Sequence, residues 1–277
     1  MSFRRVPGKL PTDFGFRDPI GAVVPSPFLN ALLGRTTMPE LNGLAADEFI
    51  VAETQLAGIV SPMSRTFKAW VVSLGAIALF TWISFLWVDK PVALWVAKSF
   101  GQRQLPVGLS ETPVLSLPLI ASGLFVVLGI VALAGRRFSK TEMTIAMTVI
   151  STLATIVVKD QLKFVFGRTW PDSWGPGVLS LVQNNVYGFH FFQSGKAFES
   201  FPSGHSCVAA AILSLPYIMF PKLRVACAVC LLAIDIGLVV LNLHFVSDVV
   251  AGNFVGCSTG LFVVAFWRAR TAEAEPR

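Results

Sequence analysis

Charge is scarce in this chain: only 14% of its 277 residues are Asp, Glu, Lys or Arg. Soluble domains usually carry about a quarter, so the composition argues against one and for a membrane-embedded protein. Cysteine is sparse too. Cys207, Cys227, Cys230 and Cys257 all fall inside apolar runs, which argues against disulfides. Cys227 and Cys230 have no His or Cys partners at zinc spacing, so all four read as small packing residues. No His, Asp and Glu cluster stands at metal-ligand spacing, and neither a metal nor a cofactor is expected. Internal repeats and low-complexity tracts are missing, which removes solenoid architectures. No cleavable signal peptide is visible before the first long apolar run, which begins at Ala69. Histidine is rare, with three in the whole chain.

Apolar residues fill the space that charge leaves. They make up 54% of the chain, and mean hydropathy is +0.67. A hydrocarbon core needs roughly 20 helical residues to cross. Five runs are nearly free of charge: Ala69–Val88, Pro113–Gly135, Met143–Val158, Ser206–Phe220 and Val249–Trp267. A sixth, Val225–Leu243, carries one acid, Asp235, expected to be paired or to line a polar pocket. The expected fold is all-α, a polytopic membrane protein with six spanning helices and an interfacial active site. Residues 1–67 form a polar, partly amphipathic segment, 68–268 the membrane domain and 269–277 a short tail.

The net charge of +6 is distributed as topology rather than as a nucleic-acid surface. Arg65 and Lys68 precede the first run, and Arg136, Arg137 and Lys140 join the second and third. Lys222 and Arg224 join the fourth and fifth, and Arg268 and Arg270 follow the sixth. All four clusters fall on one side, which the positive-inside rule makes cytoplasmic, with both termini. The opposite, extracytoplasmic side carries Lys90, Lys98, Arg103 and the long loop Lys159–Pro202.

That loop and its neighbours hold the unusual residues. "KDQLKFVFGRTWPDSW" continues the third helix to about Phe166, where Gly167 breaks it and Pro171 prevents its return. Lys163 and Arg168 then sit near the helix end. "FPSGHS" opens the fourth span: Ser203 and Gly204 supply a hydroxyl and close backbone access for an anion, with His205 in the first turn. "NLHFVSDVV" opens the sixth, where His244 and Asp248 are spaced for one helix face. The carboxylate is expected to accept a hydrogen bond from one imidazole nitrogen and leave the other free as nucleophile or base. Cations and helix-end amides bind phosphate. One histidine can attack while a second protonates the leaving group. Lys159 and Lys196 are further candidate phosphate ligands, and His190 reads as a loop or interface residue.

These motifs resemble the type 2 phosphatidic acid phosphatase family, related to vanadium haloperoxidases, whose motifs are Lys-x6-Arg-Pro, Pro-Ser-Gly-His and Ser-Arg-x5-His-x3-Asp. Here Pro202-Ser203-Gly204-His205 is intact, as are His244 and Asp248, and Lys163 matches the first lysine. The resemblance covers roughly residues 69–267. Two departures stand out: Trp170 occupies the first-motif arginine, and Gly237-Leu238 the third-motif Ser-Arg. The resemblance implies a metal-independent hydrolase of a lipid phosphate or isoprenoid diphosphate. His244 would be the nucleophile, His205 the acid and Asp248 the orienting carboxylate. Both missing arginines bind phosphoryl oxygens in the family, and a tryptophan or leucine cannot replace that fork of donors. Arg168 is expected to substitute, with Lys163, Ser203 and Gly204. The implied partners are the lipid substrate and membrane lipids, with no nucleic acid; oligomeric state is left open. A phosphotransferase using an alcohol acceptor, or a catalytically weakened lipid-binding or transport protein, are the alternatives.

Overall fold

A computed structural model describes residues 65–101, 107–173 and 175–274, all within one compact unit, Met63–Arg277. The expectations for the N-terminal amphipathic segment, and for Arg103, lie outside the described residues. The described part is all-α: its β pairing consists of three isolated bridges within the loop after the third span. The longer helices are α1 (Arg65–Trp87), α2 (Asp89–Phe100), α3 (Val107–Leu133), α4 (Lys140–Phe166), α5 (Gly204–Met219), α6 (Arg224–Val240) and α7 (Val246–Ala274).

Local chemistry sets the helix ends. Ser139 caps α4 in a reciprocal box: its hydroxyl accepts from the Glu142 amide, and the Glu142 carboxylate accepts from the Ser139 amide at 2.9 Å. At the other end Gly167 adopts the left-handed conformation (φ 54°), its amide donating to the Lys163 carbonyl. A side chain there would run into the His190 carbonyl, so the break expected after Phe166 is enforced by sterics.

Among the described residues, five helices are long and apolar enough to cross a membrane: Arg65–Trp87, Ser116–Leu133 within α3, Lys140–Phe166, Pro221–Val240 and Val246–Thr271. The protein is a multi-pass membrane protein. The sixth expected span, Ser206–Phe220, is α5, only 16 residues long. At 1.5 Å per residue it extends about 24 Å, short of the roughly 30 Å of hydrocarbon. It lies against α4, α6 and α7, with Cys207, Ala210, Ala211 and Leu215 fully buried. The outer helices instead expose large apolar side chains, such as Val72, Leu119 and Val225, as lipid-facing surfaces do.

Small residues bring α5 and α7 together. A Cβ at Gly252 would lie 2.7 Å from the Ser203 carbonyl oxygen, one at Gly256 would strike the Cys207 carbonyl, and one at Gly260 the Ser214 hydroxyl. Glycines at four-residue spacing let the two backbones approach, as in small-xxx-small membrane packing. This contact registers the start of α5 beside the start of α7: the Ser203 amide donates to the Asp248 carbonyl at 3.0 Å. At the opposite end, Met147, Leu215, Met219 and Val264 form a core that locks α4, α5 and α7.

Helix α2 was not anticipated. Its three charges, Asp89, Lys90 and Lys98, and Pro91 mask a short helix. Asp89 is nevertheless 1% exposed, and Ala93 packs with Leu181 and Phe245 in a second core under the loop.

Candidate active site

The starts of α5 and α7 and the end of α4 meet at one end of the bundle. Ser203 is the N-cap of α5, its hydroxyl accepting from the Ser206 amide at 3.3 Å. The Gly204 amide opens the helix and so has no acceptor within it. Lys163, one turn before the end of α4, lies beside this opening: a Cβ on Gly204 would sit 3.6 Å from its Nζ. The His205 and His244 rings meet edge to face, with centroids 6.2 Å apart. Positive helix-end dipole, ammonium and two imidazoles therefore converge, a combination suited to an anion that undergoes substitution.

His244 is held from several directions. Its backbone amide donates to the Leu238 carbonyl at 3.3 Å, and the Trp170 ring lies over it at 5.1 Å. Trp170 is fixed in turn by donating from Nε1 to the Lys196 carbonyl at 2.6 Å. Burial pulls the His244 pKa below the ordinary histidine value, against the opposing influence of Asp248. The imidazole is thereby kept in its basic form.

The hydrogen bond expected between His244 and Asp248 is not made. Nδ1 lies 3.7 Å from the carboxylate, an ion-pair distance. The reason is competition: Asp248 already accepts from Arg168 at 2.5 Å, Ser200 at 2.6 Å and the Phe245 amide at 3.1 Å.

Arg168 requires the main correction. It was expected to bind phosphate beside the Ser203 and Gly204 amides, but its guanidinium is fully buried and engaged elsewhere. It pairs with Asp248 and, at 2.8 Å, with Asp89, and it donates to the Ser247 hydroxyl at 2.6 Å. Phe245 and Phe189 pack on its faces at 4.3 and 4.8 Å, with Phe85 and Tyr187 beyond. Burial opposes its charge, but Asp248 and Asp89 more than offset this and raise its pKa. The loop causes this arrangement. Arg168 bridges to both Phe189 and Glu199, so its backbone lies in the middle of the folded segment and its side chain can only point inward.

The remaining candidates separate. Lys159 is buried one turn below Lys163 and pairs with Asp160. Lys196 has an exposed side chain and serves the site through its carbonyl. His190 is exposed and rests on Phe198. Asp235 faces inward, accepting from Ser206 at 3.1 Å and Asn253 at 2.6 Å. Asp89, Ser200 and Ser247 were missed. Only the lone acid at the end of the first span and the serine inside "HFVSD" hinted at them. Among the described residues, no three His, Cys, Asp or Glu side chains converge as a metal site.

Residues 141–272, from the start of α4 to the end of α7, match the model of the PAP2 superfamily. The chain is similar to proteins named lipid A 1-phosphatase from Rhizobium johnstonii and Rhizobium etli, 35% identical to each over 95 residues. That is 34% of this chain and 36% and 38% of theirs, so the match spans little more than a third of either relative. A PAP2-type phosphatidylglycerolphosphate phosphatase from Bacillus subtilis has 19% identity and a TM-score of 0.37, over 70% of this chain and 94% of that one. Within the matched segment, both positions where the family motifs carry arginine are apolar and buried here: Trp170 shields His244, and the Leu238 carbonyl anchors its backbone.

Proposed function

We propose that this protein is a membrane-integral phosphatase that hydrolyses a lipid phosphate through a phosphohistidine on His244, without a metal. The observation that carries this reading is the pair of neighbouring imidazoles, His205 and His244, beside the Gly204 backbone and the Lys163 ammonium. Nδ1 of His244 is turned to Asp248, which leaves Nε2 as the attacking atom. Attack forms the N–P bond and breaks the P–O bond to the lipid, and His205 gives its proton to the departing oxygen. Neutral His205 then takes a proton from water, which attacks phosphorus, breaks the N–P bond and releases phosphate. Lys163 and the Gly204 amide stabilise the equatorial oxygens.

The substrate class follows from the site's position at a helix end in a lipid-facing bundle. The relatives named lipid A 1-phosphatase favour a phosphate on a saccharolipid over an isoprenoid diphosphate. The basic clusters at the opposite helix ends support an extracytoplasmic position for this face.

The test uses purified full-length protein in nanodiscs with EDTA. It is offered an acylated disaccharide 1-phosphate, phosphatidic acid and a polyprenyl diphosphate, with and without alcohol acceptors. Inorganic phosphate and transferred phosphate are measured separately. The expected result is phosphate release in the presence of chelator and an acid-labile phosphoenzyme lost in His244→Ala. An absolute requirement for added divalent metal, or no release from any lipid phosphate, overturns the proposal.

A further inference from the structure

Asp89 belongs to none of the motifs, yet it is among the most completely engaged side chains in the protein. One carboxylate oxygen accepts from the Ser84 hydroxyl at 2.9 Å and the Ser247 amide at 3.0 Å. The other accepts from Arg168 at 2.8 Å and from the Ser247 hydroxyl. Asp89, Arg168 and Asp248 are all essentially buried. Arg168 donates with one terminal nitrogen to Asp248 and with the other to Asp89. Two carboxylates against one guanidinium leave this buried cluster with one net negative charge. His244 stands directly against it, at Asp248.

The arithmetic suggests why a second acid is present. With Asp248 alone, Arg168 would cancel its charge, and the carboxylate could orient His244 but not compensate positive charge on the ring. Asp89 occupies the other half of the guanidinium fork and restores a net negative charge beneath the imidazole. Attack through Nε2 makes the ring cationic, so the restored charge is used as the N–P bond forms. We infer that Asp89 is a positioning residue that acts through Arg168, keeping Asp248 electrostatically available to His244. This rests on the reading of His244 as the nucleophile.

The charged and titratable groups facing His244 are few. Asp248 approaches from α7, His205 from α5 and Lys163 from α4. Behind Asp248 lie Arg168, Asp89 and the Tyr187 hydroxyl. Glu199 faces Lys163 from the loop. Asp235, from α6, meets the site only through Ser206.

The test is a set of charge variants in the full chain in nanodiscs. The three histidines are followed by nitrogen NMR across pH and assigned with His190→Gln and His205→Gln. Asp89→Asn leaves the cluster neutral and is expected to lower the His244 pKa by about half to one unit. Phosphatase kcat should fall about tenfold with KM little changed, since the charge is needed as the ring becomes cationic. Arg168→Gln leaves two net negative charges and should move the His244 pKa upward. Asp89→Asn with Arg168→Gln again leaves one, and should bring it back to the wild-type position. A purely structural role would not give opposite shifts that cancel. Should either single variant fail to fold, the double variant and Asp89→Glu carry the test, because both keep one negative charge and must titrate as wild type does. Unchanged His244 titration in Asp89→Asn, or a displaced one in the double variant, overturns the inference. Shifts as stated in a protein without phosphatase activity would instead reject the proposed function and leave the charge balance standing.

Discussion

Adding one methyl group at Gly256 tests whether α5 and α7 together build the site. The Cβ would strike the Cys207 carbonyl and lie 2.7 Å from the Ala211 nitrogen and 2.8 Å from the Ala210 methyl. Ordinary contact needs about 3.5 Å or more, and two of these three atoms are backbone, so no rotamer change relieves the clash. The helices must separate by about 1 Å. Overpacking of this kind costs about 1–3 kcal/mol, against a gain of about 1 kcal/mol from replacing glycine by alanine in a helix. A net destabilisation of up to roughly 2 kcal/mol is expected. The functional effect should be larger, because α5 carries His205 and α7 is preceded by His244. A displacement of about 1 Å between them can cost about 10²-fold in turnover. The assay is phosphate release with thermal unfolding in one detergent. Gly123→Ala is the control: it lies in α3 with nothing within 4 Å of its added Cβ, so it should match or slightly exceed wild type in stability. If Gly256→Ala turns over normally at wild-type stability, the close approach of α5 and α7 does not set the site.

Four further outcomes are expected. His244→Ala should abolish turnover, whereas His205→Ala should slow poor leaving groups most, as leaving-group series would show. Burial lowers the His244 pKa, so as the proposed nucleophile it should stay unprotonated below the ordinary value of about 6.5; a pH–rate profile whose acid limb is set by His244 above that value contradicts the reading. Arg168→Ala strips the countercharge from two buried carboxylates and should cost about 3–5 kcal/mol, seen as loss of folded protein in detergent, with no rescue by Trp170→Arg. Well-folded Arg168→Ala protein lacking only turnover would return the arginine to the phosphate. For orientation, Gln193→Cys should react with an impermeant thiol reagent in intact spheroplasts and Thr141→Cys should not, in a background lacking the four native cysteines. The reverse labelling pattern would invert the topology.

The chain by itself determined the helical, multi-pass character, because crossing hydrocarbon demands long uncharged runs that local composition displays directly. It also determined where α4 ends, since Gly167 and Pro171 act on their own backbone, and where α5 begins, since Ser203-Gly204 is a local cap. The juxtaposition of His205 with His244 was legible only through the motifs. Its physical cause, the glycines at 252, 256 and 260, is a spacing that acquires meaning once its partner helix is known. Tertiary structure alone decided the role of Arg168. From sequence it was a free cation near a phosphate site. In the fold, the loop threads its backbone between Phe189 and Glu199 and delivers its side chain to Asp89 and Asp248, each about eighty residues away. An arginine's partner is set by which carboxylates share its buried space, and chain-distant carboxylates meet only when the helices pack.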